Sequence, residues 1–591
     1  MNATAPDWDL SAWFEDVGTP DYRAFVDRLT ADLASLPSRL GAAEGTDALA
    51  GVLGDVEDAQ ARLWHLSAFL SCRRSADGRD EAVQRAEGER ARLAAASTKV
   101  TVALQDALAG LDAAAFETLC AHPSLQDADH ALRRTRDRAR HAMPAALEDL
   151  AADLGVDGLH AWGRLYSRLT SELEFELRVP GAAPRTLPVS MARTTMEDAD
   201  PAVRRAALAG ANAAWARHGT TLAGCLNGIA GTRLALAARR GWDGVLDEAL
   251  VDAGIERRTL DALWTAVRAH QDLPRRFLHA KARRLGLERL GFQDVGAPLP
   301  VDGEARLAWA EGHAKVRAAF RGAYPALADF ADEAVARRWI DHAPRAGKSP
   351  GAFCTSSPVI EESRVFLTFH GAAGDVQTLA HELGHAFHNR VLRGLRPWAR
   401  RYPMTLAETA STFAEQVVLE ATLDDAATPA DLRLALRDHR LTDAAVFLLN
   451  IPMRFDVEQG LYTRRRDGEL SVRELCDLTR AAQLEHFGDA LDPGQLDPWF
   501  WASKLHFYLT NIAFYNFPYT FGFLFSTAIY ARWKAEGDAF LATYERLLRA
   551  TGTGTAEQVA RDTLGVDLGD PDFWAQAIRS LEPDLEAYTR G

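Results

Sequence analysis

Residues 374–394 read GDVQTLAHELGHAFHNRVLRG, and the organisation of the chain follows from this stretch. Gly374-Asp375 is a helix start with Asp375 as its N-cap, helical periodicity holds to about Leu392, and Gly394 is the stop. Inside lies His381-Glu382-Leu383-Gly384-His385. Residues four apart on a helix are neighbours on one face, so both imidazoles can reach one zinc ion. Glu382 is offset enough to miss the metal and still reach a water bound to it. His388 shares the face, but histidines at i, i+4 and i+7 span too much rise for one tetrahedral ion, so it is assigned to packing or support.

Zinc needs a third protein ligand and an open position for water. Position 391 is Val391, which removes the arrangement with a third histidine ten residues after the first. A carboxylate from a following helix remains. Thr405-Leu406-Ala407-Glu408 opens such a helix, 23 residues beyond His385, and makes Glu408 the candidate. The same four residues also spell a capping box, in which Glu408 would only hold a backbone N–H. The pattern leaves both roles open.

Just upstream, Gly351–His370 holds Ala352-Phe353-Cys354-Thr355 and Val365-Phe366-Leu367-Thr368-Phe369, separated by Pro358 and charged residues. This predicts two paired strands leading into the metal helix. A second break in the helical rhythm is residues 172–179, where Glu172, Glu174, Glu176 and Arg178 alternate with Leu173, Phe175, Leu177 and Val179. Pro180-Gly181 and Leu187–Met191 would return that strand as a hairpin. The lobe boundary is placed there, giving an N-terminal helical lobe over 1–185 and a catalytic domain over 186–591. Elsewhere amphipathic helix dominates: Phe25, Leu29, Leu33 and Leu36 form one stripe, and Leu63, Leu66 and Leu70 another.

At 591 residues, 47% of them apolar, the chain is globular and too long for one core. Its net charge of −15 disfavours nucleic acid and anionic membrane surfaces as partners. Cys72, Cys120, Cys225, Cys354 and Cys476 are scattered and odd in number, which argues against a disulfide framework and for a reducing compartment. Met1–Leu10 has neither a basic start nor an apolar run, and no stretch is apolar enough to span a bilayer. The expected location is cytoplasmic.

HELGHAFH at 381–388 followed by LAETAST at 406–412 resembles the oligoendopeptidase F branch of the thimet-oligopeptidase family of zinc peptidases. The likeness extends through Asp200–Ala207, Leu226-Asn227-Gly228, Arg240-Gly241-Trp242 and Gly347–Phe353. It continues through His506-Phe507-Tyr508 and FYNFPYTFG at 514–522, where Ile512-Ala513-Phe514-Tyr515 departs from the Pro-Phe-Tyr run common in that branch. The resemblance implies a mainly α, two-lobed helical shell around a deep channel, with a small β-sheet beside the metal helix. It implies one zinc per chain on His381, His385 and Glu408, with Glu382 as general base. Short unfolded peptides would be cut internally.

The oxyanion donors would come from His506, Tyr508, Tyr515 and Tyr519, with Tyr519 favoured because Pro518 fixes the backbone before it. Pro518 and Gly522 argue against a continuous straight helix through this segment. Two rivals stand beside this reading. A dipeptidyl carboxypeptidase on the same scaffold would need a cationic group for the substrate's terminal carboxylate, and the sequence alone identifies none. A metal-free helical binding protein is the other.

Overall fold

The computed structural model describes residues 7–299 and 306–590. The first six residues, part of the stretch in which no signal sequence was read, lie outside that range. The chain is built almost entirely of helices, with one two-stranded and one three-stranded sheet among the described residues. It forms two compact units, each assembled from three stretches of chain. The first comprises 1–141, 304–425 and 529–566, the second 142–303, 426–528 and 567–591. The units are divided by packing and not by order along the chain, and residue 185 lies inside the second.

In the first unit, helices Pro20–Ala42, Thr46–Ala76 and Glu81–Ala109 pack together. The buried stripe of the first is Tyr22, Val26, Leu29, Leu33, Leu36 and Leu40. Val26 takes the core position that the sequence assigned to Phe25, which is only partly buried. The same core includes Phe366 and Trp398, so the N-terminal helices share their apolar interior with the sheet that precedes the His381 helix.

In the second unit, β1 (Glu174–Leu177) and β2 (Arg185–Pro188) form the expected antiparallel hairpin. Phe175 and Leu177 are buried while Glu174 and Glu176 face out, and Gly181 turns the chain at φ +81°. Buried ion pairs join distant segments of this unit: Arg204 to Asp294 at 2.8 Å, and Lys281 to Asp438 at 2.8 Å with the Tyr588 hydroxyl donating to the same acid.

The second sheet, in the first unit, has the order β3-β5-β4, formed by Ile340–Asp341, Glu362–Phe366 and Phe353–Ser357. β4 and β5 are antiparallel, with Phe353 opposite Phe366 and Ser357 opposite Glu362. The downstream strand therefore sits earlier than the apolar run Val365–Phe369 suggested. Leu367 and Phe369 bond instead to the carbonyls of Asp341 and His342, which continues the parallel edge beside β3.

The helix that carries His381 and His385 follows at Ala373–Val391. It starts two residues before the predicted cap: Ala372 is the N-cap, and Asp375 reaches back from the first turn to accept from His370 N at 2.7 Å and Ala372 N at 3.1 Å. Helix Thr409–Asp424 packs on it more extensively than any other pair of elements in the chain. The closest approach is at Gly384, where an added Cβ would lie 2.6 Å from both Ala410 O and Ser411 Cα. Those are backbone atoms and cannot rotate away.

Gly384→Ala is accordingly expected to force the two helices apart and cost roughly 1–3 kcal/mol. Thermal unfolding in the presence of a chelator reads this as a lowered Tm without any metal contribution. An unchanged Tm would mean the crossing can widen freely.

Candidate metal centre

His381 and His385 stand one turn apart on the 373–391 helix, their ring centroids 4.9 Å apart. Glu408 sits at the junction between the short helix Met404–Ala407 and helix Thr409–Asp424. Thr405 is inside that short helix, so it is not the N-cap of a box with Glu408. Glu408 Oε2 lies 3.3 Å from His381 Nε2 and 3.4 Å from His385 Nε2. Two ligands, each about 2.0–2.1 Å from a tetrahedral ion, stand about 3.4 Å apart. The three donor atoms lie within 4.8 Å of one another, and the nitrogen, nitrogen and oxygen set is one that zinc takes.

Two supporting contacts fix the donors. Ser411 Oγ donates to Glu408 Oε2 at 2.7 Å. Glu415 Oε2 is 3.2 Å from His381 Nδ1. With Nδ1 donating its hydrogen to this acid, Nε2 keeps its lone pair for a cation. Glu415 was not singled out in the sequence as part of the site. Its signal was there: it follows Glu408 by seven residues, two turns along one helical face.

The local electrostatics favour a positive charge. Burial works to lower the pKa of His381, but the bonds from Glu408 and Glu415 prevail and hold it up at about 10. Burial likewise opposes ionisation of Glu408, and the two imidazoles overcome it and hold that carboxyl far below its usual range. Two acids and two imidazoles thus confine one cation, whether proton or metal.

Glu382 is 6% exposed, and burial pushes its carboxyl up while the neighbouring imidazoles pull the other way. Its Oε2 is buried with no protein partner. An orphaned carboxylate oxygen beside a metal-type donor set is placed to receive a hydrogen from a small molecule such as water. His388 has a different function. It is fully buried, bonds Thr551 Oγ1 at 2.9 Å and Leu548 O at 3.1 Å, and stacks on Tyr402. Burial holds it neutral by drawing its pKa down to about 3.

The remaining candidates are in the second unit. Tyr508 is a correction to the sequence reading: it is 1% exposed and stacked on Tyr166 at 3.7 Å, which makes it core. His506, Tyr515 and Tyr519 do cluster, with His506 5.0 Å from Tyr515 and 6.5 Å from Tyr519 between ring centroids. The bend in this segment also falls elsewhere than predicted. Helix Phe517–Glu536 runs through both Pro518 and Gly522 without a break, since proline in a first turn loses no hydrogen bond. The turn comes before it, at Phe514, whose φ is +50°. Glu458 holds that residue by accepting from Phe514 N at 2.8 Å, and Arg233 donates to Leu509 O and Ile512 O in the same loop.

Hydrogen bonding in this cluster sets each donor and acceptor. Arg454 can only donate, and its Nη1 is 3.1 Å from Asn516 Oδ1. That fixes the amide with its oxygen toward His506 Nδ1, 2.7 Å away. His506 Nδ1 must then be the donor, which leaves Nε2 as an acceptor in the neutral ring. Burial first, then the charges of Arg454 and Lys504, lower its pKa and keep it neutral against the Asn516 bond. The Tyr519 and Tyr515 hydroxyls are hydrogen-bonded at 3.0 Å, and with Tyr519 donating, Tyr515 keeps its hydrogen for another acceptor.

Comparison with known proteins was made against this geometry. Residues 324–580 match the family described as Peptidase family M3, and 108–175 match the one described as Oligopeptidase F. An oligoendopeptidase F homolog of Lactococcus lactis is 26% identical over 395 residues, covering 66% of this chain and 64% of that protein. The oligopeptidase PepF of Bacillus subtilis is 23% identical over 396 residues, covering 66% and 58%. The chain thus spans about three fifths of these relatives' length. Among solved structures, an oligoendopeptidase F from Enterococcus faecium aligns with TM-score 0.70 at 19% identity, over 96% of this chain and 98% of that one. A Chlamydophila abortus chain aligns with TM-score 0.84 at 20% identity, over 99% and 98%. At such identities these two structures speak for the fold.

Glu408→Ala is expected to abolish high-affinity zinc binding in equilibrium dialysis. Glu415→Gln should weaken it by about 10- to 100-fold, through lost orientation of His381. Wild-type affinity in Glu408→Ala would remove that residue from the ligand set.

Proposed function

The chain belongs to peptidase family M3, in its oligoendopeptidase F branch, and from that premise we propose that it is a zinc-dependent endopeptidase acting on short, unfolded oligopeptides. The observation that carries this reading is Glu408 Oε2 standing 3.3 Å from His381 Nε2 and 3.4 Å from His385 Nε2, with the partnerless oxygen of Glu382 beside them. One zinc per chain, held by His381, His385 and Glu408, would polarise the scissile carbonyl and lower the pKa of a bound water.

The protein's own groups do the rest. Glu382 accepts the proton of the attacking water and returns it to the leaving amine, as base and then acid. Its burial suits both tasks, because a raised carboxyl pKa brings donor and acceptor forms within reach of each other. Glu415 keeps His381 in the tautomer that binds a metal. Tyr515, with its hydrogen kept for another acceptor, is the candidate donor to the oxyanion, in place of the Tyr519 that proline placement favoured. His506, an acceptor at Nε2, is suited to a backbone N–H of the peptide instead of to the oxyanion. A channel that admits only extended chains belongs to the same proposal, as does a cytoplasmic location. The five cysteines are all unpaired, and no described helix is long and apolar enough to cross a membrane.

Glu382→Gln is expected to retain one zinc per chain by elemental analysis and to lose turnover of a mixed library of short peptides. A zinc-loaded variant with more than a small fraction of wild-type activity would remove Glu382 from the mechanism. Tyr515→Phe should lower kcat roughly ten- to a thousandfold with KM little changed, and Tyr519→Phe much less. The reverse order in steady-state kinetics would return the role to Tyr519.

A further inference from the structure

The second unit contains two half-buried cations, Arg454 and Lys504, that meet no carboxylate among the described residues. Arg204 and Lys281 each meet a carboxylate at 2.8 Å. Arg454 and Lys504 do not. Arg454 donates only to amide oxygens, Asn450 Oδ1 at 2.7 Å and Asn516 Oδ1 at 3.1 Å. The Lys504 ammonium makes no hydrogen bond to the described residues and rests 4.8 Å from the centroid of the Phe500 ring. Arg454 Cζ is 5.5 Å from the same centroid, and Phe500 is 3% exposed. Asp497, the acid that feels the charge of Lys504, turns to Trp499 N at 3.1 Å, and burial pushes its own carboxyl up to about 6. Arg193 adds further positive charge nearby, itself paired to Glu197 at 3.5 Å. Keeping two half-buried cations on one aromatic ring without a counter-ion is unfavourable, and a ligand that brings an anion relieves that cost.

The position of the pair says what the anion belongs to. Asn516, which accepts from Arg454, also accepts from His506, and Lys504 is two residues from His506 in sequence. The cations therefore adjoin the His506–Tyr515–Tyr519 group that the peptidase reading assigns to the substrate. We propose that Arg454 and Lys504 form a binding site for a carboxylate of the peptide substrate, whose sources are its C-terminus or an acidic side chain. This rests on the peptidase reading, and it supplies the cationic group that the sequence alone did not reveal. Burial, then the charges of Arg454 and Arg193, draw the Lys504 pKa down to about 7, and a bound carboxylate would restore its charge.

The test uses zinc-loaded protein and one set of short peptides in two comparisons: free acid against C-terminal amide, and internal Glu against Gln in amidated peptides. Wild type should prefer the carboxylate form in one comparison by roughly ten- to a hundredfold in KM. Lys504→Met, which keeps a chain of similar length over Phe500, should erase that preference with an unchanged Tm, and Lys504→Arg should keep most of it. Whichever comparison shows the preference identifies the source. Wild type that cleaves all forms with equal kcat/KM overturns the site and leaves the peptidase reading standing. So does a folded Lys504→Met that keeps the preference. Wild type that cleaves none of them overturns the peptidase reading. In that case calorimetric titration with the free-acid and amide peptides still decides the site, equal or absent binding of the two overturning it.

Discussion

The site depends on one close crossing of two helices. Helix 373–391 brings two imidazoles to one face by the arithmetic of helical turns, but two nitrogens do not hold a zinc ion alone. The third donor must come from another element, at a separation set to a few tenths of an ångström. Gly384 permits this, because it lets the backbone at Ala410 and Ser411 come within 2.6 Å of where a Cβ would be. Glu408 and Glu415 both ride on that approach, one with an oxygen 3.4 Å from His385 and one bonded to His381. A bulkier residue at 384 would displace both acids together, so the motif's glycine is as much a part of the candidate metal centre as its histidines.

The buried charges of the second unit are satisfied to different degrees. Arg204 is paired with Asp294 and Lys281 with Asp438, whereas Arg233 bonds only a phenol and two carbonyls. Among the groups left incomplete are Glu382 and Glu458, each with an unpartnered oxygen, and the half-buried Arg454 and Lys504 cations, with no acid. Low dielectric makes an incomplete charge expensive, and it gives the same charge a strong interaction with a ligand that completes it.

In the aromatic segment, hydrogen-bond direction does what residue identity cannot. Among four candidate donors at residues 506–519, the sequence favoured Tyr519 only by the proline before it. Arg454, able only to donate, orients Asn516, and Asn516 then dictates which nitrogen of His506 carries the hydrogen. The Tyr519–Tyr515 bond sorts the two phenols in the same way. Tyr508 drops out because it is stacked in the core. Glu458 and Arg233 hold the loop in the conformation that makes these relations possible, including the left-handed backbone at Phe514.

Local periodicity was enough to read the mainly helical class, the β1–β2 hairpin, the strand pair before residue 373, and the two histidines with Glu382, since each depends on residues within one or two turns of each other. Element ends shifted by a few residues, as with β5 and the cap at Ala372, because terminal hydrogen bonds were settled by neighbours such as Asp341 and His342. Everything that required two distant segments to meet was decided only in three dimensions. The choice of Glu408 between capping and the histidines, the contact of Glu415 with His381, the burial of Tyr508, and the unpaired Arg454 and Lys504 all belong to that class. A sequence states which groups can bond or ionise, but whether a carboxylate is paired, orphaned or free depends on what the packed chain brings within about 3 Å of it.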